Sequence, residues 1–360
     1  MPEKKILHLL YSGQGGLGTY FMNFVNSDER NYFQHHAFFY GIEPLNTELE
    51  YFCQKNQIPY QYIPRTSKID LKAVHAVLKF VKKHKVQFLL LHTFSLSLMT
   101  IMGLFKKWKI IAIDHTPNQV KSKIEHLFTL INHLFAFKMI YFYKGHFEQT
   151  QKKFPFLRFG NNSNIVPKTV DIKFFEPSEE KAKNSVFTIG TTARLISGKR
   201  HDLVIKALAK LRADDVIVNF KIAGTGPKEN ELKNLVKTLD LAAQVEFTGL
   251  LTREELLDFY QSLDTYIHAS EGETICYSIM EAQACGLPIL ASDVEGINNA
   301  ISEKTGGLLF ENNSNEVAKG IRNLADSAHK IESYKKLARA AAVQNANNFN
   351  NVELLYSILN

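Results

Sequence analysis

Short apolar strand patterns alternate with helical patterns along the whole of this 360-residue chain. In the first half the predicted strands run from Ile6–Tyr11 through Phe88–Leu91 to Asn164–Val166. The second half repeats the scheme from Phe187–Thr192 to Gly307–Leu309. Repeated strand–helix alternation is typical of parallel β-sheets covered by helices on both faces. The chain is therefore predicted to be an α/β protein with two Rossmann-like domains.

A polar stretch at residues 168–184 separates the two halves. It contains Pro177 and a run of charged residues, which is typical of a linker between domains. The length of the chain also exceeds one ordinary domain and fits two domains of roughly 150–200 residues. We predict an N-terminal domain at residues 1–170 and a C-terminal domain at residues 171–345. The C-terminal helix, within residues 346–360, is expected to pack back onto the first domain.

The segment Phe88–Phe105 contains no Lys, Arg, Asp or Glu and approaches the length of a membrane span. Polar residues such as His92 and Thr100 interrupt it, so a buried strand followed by a buried helix is the favoured interpretation. The three cysteines are widely spaced and odd in number, which favours a reducing cytoplasm. Since the N-terminus has the pattern of a strand rather than a signal peptide, we expect a cytoplasmic protein.

Basic residues are concentrated in the N-terminal half. Residues 1–170 carry 22 Lys and Arg against 10 Asp and Glu, whereas residues 171–360 carry 21 against 26. Residues 51–150 alone have 15 basic and 4 acidic side chains. This asymmetry indicates either an anionic partner, such as a membrane surface or nucleic acid, or a basic face that only aids solubility.

The glycine-rich segment at residues 13–18 follows the first predicted strand. Its G-x-G-x-x-G spacing suits a turn that brings backbone N–H groups close to a phosphate. An enzyme that binds nicotinamide dinucleotide carries an acid at the end of the second strand, whereas here that strand ends Phe-Phe-Tyr-Gly and the next acid is Glu43. Nicotinamide binding is therefore disfavoured. A tight turn without a ligand is the alternative.

Two cations follow the first predicted strand of the second domain. Arg194 and Lys199 bracket a Ser-Gly turn that leads into a helix. Parallel sheets bind ligands beyond the carboxyl ends of their strands. An arginine can hold a diphosphate with two hydrogen bonds and a lysine can neutralise it as a point charge. The two residues are candidate diphosphate ligands, and a solvated basic loop is the alternative.

Two glycine turns follow the next predicted strands. Gly224 lies in the segment Ala-Gly-Thr-Gly-Pro at residues 223–227, and Gly249 lies at residues 247–251. Glycine lets a ligand approach the backbone closely, so both are candidate donor-binding residues. Each is equally consistent with an ordinary turn.

The most informative segment is residues 270–288. A loop carries Glu273, and a helix is predicted to begin near Thr274, so the N–H groups of Thr274 and Ile275 would form an anion site. Glu281 lies about 12 Å further along the helix axis, which matches the span from a donor sugar across a diphosphate to a ribose. Alternatively, Glu273 is only a helix cap and Glu281 only a surface residue.

These residues resemble the retaining glycosyltransferases of family 4, which have the GT-B fold. That family carries Glu-x7-Glu followed by Ala and a Gly-Leu-Pro turn, as at Glu273, Glu281, Ala282 and residues 286–288. Further matches are the Arg-Leu…Lys segment at Arg194 and Lys199, the Gly-x-Gly-Pro turn at residues 224–227, and the Gly-Gly loop at Gly15 and Gly16. The resemblance implies two Rossmann-like domains with a cleft between them.

The resemblance also implies a role for each site residue. Arg194 and Lys199 would neutralise the diphosphate of the donor as it leaves. Glu281 would bind the ribose, while Glu273 and the N–H groups of residues 274–275 would contact the donor sugar. In the N-terminal domain, the loop of Gly15 and Gly16 would close over the phosphates. His115 matches a family histidine that faces the donor sugar, although an ordinary loop histidine is the alternative.

Three segments depart from the family pattern. Thr274-Ile275-Cys276 stands where the family often has Gly-Phe-Gly, which puts the identity of the sugar in doubt. Pro167-Lys168-Thr169-Val170-Asp171 replaces a Pro-Asn-Gly-Val-Asp linker, and Tyr143-Lys144 replaces a Ser-Glu pair.

The resemblance implies transfer with retention of configuration. Because the sequence has no Asp-x-Asp pair, protein cations would replace a metal, and neither a metal nor a cofactor is expected. We expect a front-face substitution in which the departing phosphate helps to deprotonate the acceptor. The predicted donor is a nucleotide-diphosphate hexose, with UDP favoured over GDP.

The expected acceptor is a glycan or a lipid-linked molecule bound by the first domain, in the synthesis of bacterial surface polysaccharide, lipopolysaccharide or glycolipid. Basic and aromatic residues suit an anionic leaflet at the cytoplasmic face of the inner membrane, or else a solvated helix face; they are Lys106, Lys107, Trp108, Lys109, Lys121, Lys123, Phe128, Phe135, Phe137 and Lys138. The alternative functions are a non-catalytic partner subunit of a glycosyltransferase and a nucleotide-sugar epimerase of the same fold. Nucleic-acid binding is not expected, because no known module is present.

Overall fold

The chain forms two compact units, each built around a parallel sheet. The computed structural model describes residues 4–13, 15–66, 70–106, 108–157, 162–178, 185–273, 276–348 and 351–359. The units are Met1–Lys168 with Phe349–Asn360, and Thr169–Asn348. The predicted α/β class with two Rossmann-like domains is confirmed.

Within the described residues, the first unit has a seven-stranded sheet. Its strands are β1 (Lys4–Leu10), β2 (Phe33–Gly41), β3 (Tyr60–Pro64), β4 (Phe88–Leu91), β5 (Lys109–Ile113), β6 (Lys138–Tyr141) and β7 (Ser163–Ile165). All neighbouring strands are parallel, in the order β3-β2-β1-β4-β5-β6-β7. Its helices are α1 (Gly16–Asn26), α2 (Thr47–Lys55), α3 (Leu71–His84), α4 (Leu98–Lys106), α5 (Lys123–Phe135) and α6 (Lys144–Lys153).

The described part of the second unit has a six-stranded parallel sheet in the order β10-β9-β8-β11-β12-β13. Its strands are β8 (Thr188–Thr192), β9 (Asn219–Ala223), β10 (Val245–Gly249), β11 (Thr265–His268), β12 (Ile289–Ser292) and β13 (Gly307–Phe310). Its helices are α7 (His201–Ala213), α8 (Glu229–Thr238), α9 (Arg253–Ser262), α10 (Tyr277–Ala284), α11 (Ser314–Ala325) and α12 (Ala328–Asn348). The C-terminal helix α13 (Asn351–Leu359) belongs to the first unit.

The central strands of both sheets are buried on two faces, which explains their nearly continuous apolar sequences. All four residues of β4 are buried, and β12 is buried throughout. Helices cover each face, so alternation of polar and apolar residues is not needed. The charge-free segment is thus a buried strand, a short 3₁₀ turn at Phe94–Leu96 and helix α4. Among the described residues, no helix has both the length and the apolar character needed to cross a bilayer.

The segment predicted to be a linker is partly built into the second unit. Val170 and Phe175 are buried in its core, where the ring of Phe175 meets Tyr260 edge-on. Arg339 of α12 donates hydrogen bonds to the carbonyl oxygens of Phe175 and Ala284. Residues 170–175 therefore have fixed places in the second unit rather than the freedom of a linker.

Helix α13 packs on the first unit through polar and aromatic contacts. Arg30 and Glu353 form an ion pair at 3.1 Å, and the rings of Tyr32 and Tyr356 stack with centroids 4.4 Å apart. Val352, Leu355 and Leu359 are buried. The last helical turns of the chain thus complete the N-terminal unit.

Each sheet has one point at which the chain reverses its direction of winding. In the first unit this switch point lies between β1 and β4, and in the second it lies between β8 and β11. Loops that leave adjacent strands there diverge to opposite faces and open a crevice at the carboxyl edge of the sheet. A ligand site in either unit is expected at this edge.

Candidate functional site

The loops after β8 and β11 meet at the switch point of the second unit. The first loop carries Arg194 and Lys199, and the second carries Glu273. The backbone N–H of Glu271 donates to the carbonyl oxygen of Gly198 at 3.0 Å, which ties the two loops together. Arg194 lies exposed at this edge, whereas Lys199 is partly buried. The structure therefore gathers the predicted diphosphate and sugar ligands on adjacent loops.

The glycine turn after β9 supports the loop that carries Arg194. Gly224 has φ of 129°, and a Cβ atom there would lie 2.1 Å from the carbonyl oxygen of Ala193. The backbone of Leu195 accepts a hydrogen bond from Lys228 and donates one to Thr225. Gly224 is thus required by packing within the chain, whatever its contact with a donor.

Gly249 differs from Gly224 in its surroundings. Its φ is 73°, in the left-handed region, but a Cβ atom there would meet no atom within 4 Å. Its carbonyl oxygen accepts a hydrogen bond from the N–H of Gly224 at 2.7 Å. The turn at Gly249 therefore holds the neighbouring turn and leaves open space beside its own Cα.

One carboxylate oxygen of Glu273 is the centre of a polar network. Its Oε1 forms an ion pair with the ammonium of Lys199, and His268 lies 3.0 Å away through Nε2. The hydroxyl of Ser270 donates to the same oxygen at 3.2 Å. The side chains of Lys199 and Glu273 are 21% and 15% exposed, so the pair is mostly shielded from water yet within reach of a ligand. We call these four residues the Glu273 network.

The network favours charged forms of its members. Burial alone would raise the pKa of Glu273, but Lys199 and His268 outweigh it and hold that pKa well below its usual value. Burial lowers the pKa of His268, while Cys276 and Glu273 raise it to a net value of about 9. Burial lowers the pKa of Lys199 and Glu273 raises it, with a net increase. At neutral pH the site therefore holds a fixed carboxylate beside two cations.

Three members of this region have side chains of the kind that bind metals. His268, Glu273 and Cys276 each offer one ligand atom, and these atoms lie within 4.8 Å of one another. Imidazole, carboxylate and thiolate form a set that suits zinc by type. However, the oxygen of Glu273 that faces the others accepts from Lys199 and from His268. As built, the group is an ion-pair network rather than a vacant ligand set.

Glu281 lies deep in the second unit, on helix α10. It is 5% exposed, and its Oε2 accepts a hydrogen bond from the hydroxyl of Tyr260 at 2.8 Å. That hydroxyl also lies 2.9 Å from Oγ1 of Thr192, at the end of β8. The interpretation of Glu281 as a surface residue is therefore wrong. Through Tyr260, this buried carboxylate is connected to the carboxyl end of β8.

The start of helix α10 differs from the sequence prediction. The helix begins at Tyr277, with Cys276 as its N-cap, instead of near Thr274. Thr274 and Ile275 lie outside the described residues, so their N–H groups remain predicted anion ligands. The later start shortens the helical span between Glu273 and Glu281, because Glu273 lies in the loop.

Sequence reasoning missed the polar residues that surround Glu273. His268 is the last residue of β11, and Ser270 lies two residues further along the chain. The hydroxyl of Tyr266 contacts Ser278 at 2.7 Å and His268 at 3.3 Å. A histidine at the carboxyl end of a buried strand, two residues before a loop with acids, is the signal that would have identified it.

His115 follows β5 at the carboxyl edge of the first unit. Its ring meets Tyr20 edge-on, with centroids 5.2 Å apart, and lies 4.9 Å from the ring of Phe142. Tyr20 belongs to α1, which begins at Gly16, with Gly15 as its N-cap at φ 143°. The predicted glycine loop thus leads into the helix that packs on His115. Both lie at the edge where this sheet is expected to bind a ligand.

Lys121 was grouped with the basic surface of the first domain, and that prediction is wrong. It is buried and forms an ion pair with Asp114, where both side chains are fully enclosed. Asp114 also lies 3.6 Å from Nε2 of His146. A buried cation requires such a partner, because unpaired burial of a charge is costly. Lys107 lies outside the described residues.

The exposed surface of α4 and α5 carries apolar side chains among lysines. Phe105 is 81% exposed at the end of α4, and residues at helical spacing along α5 are about half exposed, namely Ile124, Leu127 and Leu134. Lys106 and Lys123 are exposed beside them. We call this surface the α4–α5 patch. Several large apolar side chains on one face are unusual for a surface that contacts only water.

Residues 172–344 match the family described as glycosyl transferases group 1. The matched residues lie within the second unit of the chain. The match covers the Glu273 network, Glu281 and the loops with Arg194 and Gly224. The resemblance drawn from the sequence motifs is thereby confirmed.

Relatives and solved structures extend the comparison. The chain is 28% identical over 158 residues to alpha-monoglucosyldiacylglycerol synthase of Streptococcus pneumoniae, covering 41% of this chain and 36% of that protein. It is 28% identical over 191 residues to D-inositol 3-phosphate glycosyltransferase of Paenarthrobacter aurescens, covering 50% and 47%. The matches thus span less than half the length of these relatives.

The crystal structure of Anabaena HepE in complex with UDP and glucose superposes on the chain with a TM-score of 0.80. The superposition covers 99% of each chain at 18% identity. This likeness shows the fold alone, and it confirms the predicted GT-B class.

Proposed function

We propose that the protein is a retaining glycosyltransferase that moves a hexose from a UDP-hexose to a glycan or lipid-linked acceptor. The observation that carries the proposal is the Glu273 network. It joins a cation and a carboxylate on two loops at the switch point of a unit that matches the family described as glycosyl transferases group 1. The preference for UDP is supported by the similar fold of HepE, whose crystal structures contain UDP, UDP with glucose, or UDP-glucose.

In the proposed reaction Lys199 and Arg194 neutralise the diphosphate as the bond to the sugar breaks. A preorganised cation stabilises a leaving group best when it needs no reorganisation during the reaction. Glu273 supplies that order, because it fixes the position of Lys199 and keeps it charged. Glu281 binds the ribose, and the carboxylate of Glu273 contacts sugar hydroxyls as an acceptor of hydrogen bonds.

We propose that the reaction needs no metal and no cofactor. The carboxylate that a metal would use is already paired with Lys199, and the protein cations carry the charge of the leaving diphosphate. The acceptor oxygen attacks the sugar from the face that the diphosphate leaves. Because the attack and the departure take place on the same face, the configuration is retained without a covalent enzyme intermediate. The proton of the acceptor passes to the departing phosphate.

A thermal-shift series with nucleotide sugars tests the donor. UDP-glucose and UDP are expected to raise the melting temperature, since a ligand that binds only the folded state stabilises it by mass action. GDP-mannose at the same concentration is expected to have a smaller effect. Equal shifts with every nucleotide, or none with any, would remove the support for a UDP-sugar donor.

The stereochemistry of the product tests the class of reaction. Proton NMR of the sugar released from UDP-glucose, with an acceptor or with water, is expected to show first an α-anomer. A β-anomer as the first product would contradict retention. A change of the sugar itself, without transfer, would instead identify the epimerase.

The α4–α5 patch is proposed to hold the first unit at an anionic membrane surface. Apolar side chains that enter the headgroup region, flanked by lysines that meet anionic lipids, are the two parts of interfacial attachment. This attachment would bring a lipid-linked acceptor to the first unit. The excess of basic residues at positions 51–150 adds long-range attraction.

Vesicle sedimentation tests the patch. The substitutions Phe105→Ser and Leu127→Ser together are expected to weaken binding to vesicles rich in phosphatidylglycerol at least tenfold. The matched control is Leu71→Ser, which changes an exposed leucine on α3 of the same unit and is expected to have no effect. Equal binding by both variants, or no binding by the unsubstituted protein, would contradict the membrane role.

A further inference from the structure

The three cysteines of the chain lie in different surroundings. Cys53 on α2 is 0% exposed, and Cys285 at the end of α10 is 5% exposed. Burial raises the pKa of Cys53 to about 12, and it raises the pKa of Cys285 as well. Cys276, at the start of α10, is only partly buried. Two thiols are therefore enclosed and protonated, whereas the third is within reach of a small molecule.

The sulfur of Cys276 contacts the ring of His268 at the end of β11. Its Sγ lies 3.6 Å from Nε2 and 3.8 Å from Nδ1. The same Nε2 lies 3.0 Å from Oε1 of Glu273, and the ring of His268 is 1% exposed. A sulfur, a nitrogen and an oxygen atom of these side chains all lie within 4.8 Å of one another. A histidine in contact with both a cysteine and a carboxylate is the arrangement in which an imidazole activates a thiol.

A hydroxyl group also contacts the sulfur. Oγ of Ser278, on α10, lies 3.0 Å from Sγ of Cys276. The hydroxyl of Tyr266 donates to that oxygen at 2.7 Å, so Ser278 has its own hydrogen available for the sulfur. A hydrogen bond to the charged form of an acid favours that form. The contact with Ser278 therefore favours a thiolate over a thiol.

The charges that face Cys276 favour the same form. His268 on β11 and Lys199 on the loop after β8 are cations, and the carboxylate of Glu273 pairs with both. Burial and Glu273 raise the pKa of Cys276, but His268 and Lys199 lower it by more, and the net pKa is lowered. These two cations and one carboxylate carry an excess positive charge, which a thiolate neutralises. Buried charges are stable when each of them has a partner.

We propose that Cys276 is a site of covalent modification, a nucleophilic thiolate that hydroperoxides oxidise to a sulfenic acid and whose oxidation disables the Glu273 network. The reactivity of the sulfur stands by itself, and only the effect on turnover rests on the proposed function. Reactive cysteines lie beside cations and are partly exposed, since the thiolate is the nucleophile and must be reached. Cys276 combines both properties, whereas Cys53 and Cys285 are enclosed.

The oxidation needs no reactant beyond the hydroperoxide and the residues of the site. The thiolate attacks one oxygen of the hydroperoxide, so an S–O bond forms and the O–O bond breaks. The sulfur gives an electron pair to the peroxide and becomes a sulfenic acid. The hydroxide or alkoxide that leaves takes the proton of the His268 imidazolium and departs as water or an alcohol.

Oxidation changes the Glu273 network through His268. The sulfenic acid is neutral, so the anion that helps to keep His268 protonated is lost. His268 has given its proton to the leaving group and stays neutral. Glu273 then keeps Lys199 but has lost its second cation. The added oxygen also lies next to the carboxylate that we propose to contact the donor sugar, so turnover is expected to fall.

Alkylation by iodoacetamide in the folded full-length protein tests the thiolate. A chelator is present, so that no metal ion takes part, and mass spectrometry follows each cysteine separately. At pH 7 we expect Cys276 to react at least a hundredfold faster than Cys53 or Cys285. The rate at Cys276 is expected to reach half of its plateau at a lower pH than the rate of glutathione does. A midpoint at or above that of glutathione would overturn the proposal, whether or not the protein transfers sugar.

The substitution His268→Gln removes the charge beside the sulfur and keeps a side chain that can donate to Glu273. We expect the midpoint of alkylation at Cys276 to rise and the rate at pH 7 to fall at least tenfold. Equal midpoints in this variant and the unsubstituted protein would show that His268 does not activate the sulfur, which contradicts the proposal.

The matched control is His201→Gln at the start of α7. Burial lowers the pKa of His201 to about 4, so this histidine carries no charge at pH 7. Its loss is expected to leave the midpoint of Cys276 unchanged. Slow alkylation of the two enclosed cysteines shows that each variant is folded. A midpoint raised equally by both substitutions would contradict a specific role of His268.

Hydrogen peroxide in the presence of dimedone, which traps sulfenic acids, tests the modification. We expect the label on Cys276 and none on the two enclosed cysteines. Without dimedone, peroxide should lower the turnover of UDP-hexose at least fivefold, and dithiothreitol should restore it. Cys285→Ser should lose turnover in the same way, whereas Cys276→Ser should lose none of the turnover with which it starts. Absence of label on Cys276, or an equal loss of turnover in both variants, contradicts the proposal.

The outcomes separate this inference from the proposed function. If the unsubstituted protein transfers no sugar, the proposed function fails, while the alkylation profile and the dimedone label still decide whether Cys276 is a reactive thiolate. If transfer occurs and the oxidation of Cys276 leaves turnover unchanged, the proposed function stands, and the inference that oxidation disables the Glu273 network fails.

Discussion

The two units place different electrostatics at the same point of similar sheets. At the switch point of the first unit, the buried rings of His8, His92 and His115 form a hydrogen-bonded row, and burial lowers the pKa of each. At the switch point of the second, Lys199, Glu273 and His268 form a charged network. Both are buried or nearly so, yet burial lowers the pKa of His92 to about 3 while that of His268 rises to about 9.

The difference shows that a partner decides the charge of a buried group. Cys276 and Glu273 lie beside His268 and raise its pKa against the effect of burial, whereas His8 and His92 have other imidazoles beside them. A fold can therefore supply neutral hydrogen-bond acceptors in one unit and fixed charges in the other. The second arrangement is the one we propose to bind a diphosphate.

The largest expected effect is a difference between the two units in how their stability changes as the pH is lowered. The pKa values of His8, His92 and His115 are lowered in the folded protein, so the unfolded chain binds more protons below pH 6.5. The stability of the first unit therefore falls as the pH is lowered. Each such histidine contributes up to about 1.4 kcal/mol per pH unit. Trp108, the chain's one tryptophan, lies in the first unit, and its fluorescence reports the unfolding of that unit.

We expect the melting temperature reported by Trp108 to fall steeply between pH 6.5 and 5. In the second unit, His201 has its pKa lowered to about 4 and adds to the acid sensitivity. His268 has the opposite sign. Its contribution is complete below pH 6.5 and is lost as the pH rises toward 9. A first unit whose stability does not change from pH 6.5 to 5 would contradict the lowered pKa values of His8, His92 and His115.

The next largest effect is expected from the charged network. Glu273→Gln and Lys199→Met should each lower the turnover of UDP-hexose at least tenfold, because each removes an ordered charge near the departing diphosphate. The matched control is Lys206→Met, which changes an exposed lysine of α7 that pairs with Asp202. Radiolabelled transfer assays measure all three. Unchanged turnover in both network variants would refute the role of the second unit.

The smallest effect is expected from the hydrogen bond that orients Glu281. Tyr260→Phe removes the donor to its carboxylate, so KM for the nucleotide sugar should rise about threefold and stability should fall by about 1 kcal/mol. Tyr334→Phe, at another buried tyrosine of the second unit, is the control and should leave KM unchanged. If Tyr260→Phe has the same KM as the unsubstituted protein, the proposed role of Glu281 in donor binding is contradicted.

Local pattern predicted the elements but not the partners of their side chains. The predicted strand at Phe88–Leu91 has the same bounds in the structure, because a buried parallel strand is a continuous apolar run. The start of α10 was placed too early, because its N-cap is Cys276, whose side chain makes no capping hydrogen bond and gives no signal in the sequence. Lys121 was predicted to lie at the surface because its ion pair with Asp114, seven residues away, forms only in the folded unit and is not visible in the local pattern.

The row of histidines could not be derived from the sequence. His8 and His92 are 84 residues apart, and His92 and His115 are 23 apart. Their contact depends on the order of the strands and on which face each side chain takes, and neither follows from periodicity. The loop residues Arg194, Lys199 and Glu273 were accessible to prediction because motif and strand end coincide in the sequence.

Binding of UDP to the second unit is the most direct test of the central claim. Isothermal titration of UDP should give saturable binding at one site per chain. Lys199→Met should weaken that binding at least tenfold, and Lys206→Met should leave it unchanged. Equal affinity of UDP for the unsubstituted protein and for Lys199→Met would contradict the claim that the Glu273 network holds the diphosphate of a nucleotide sugar.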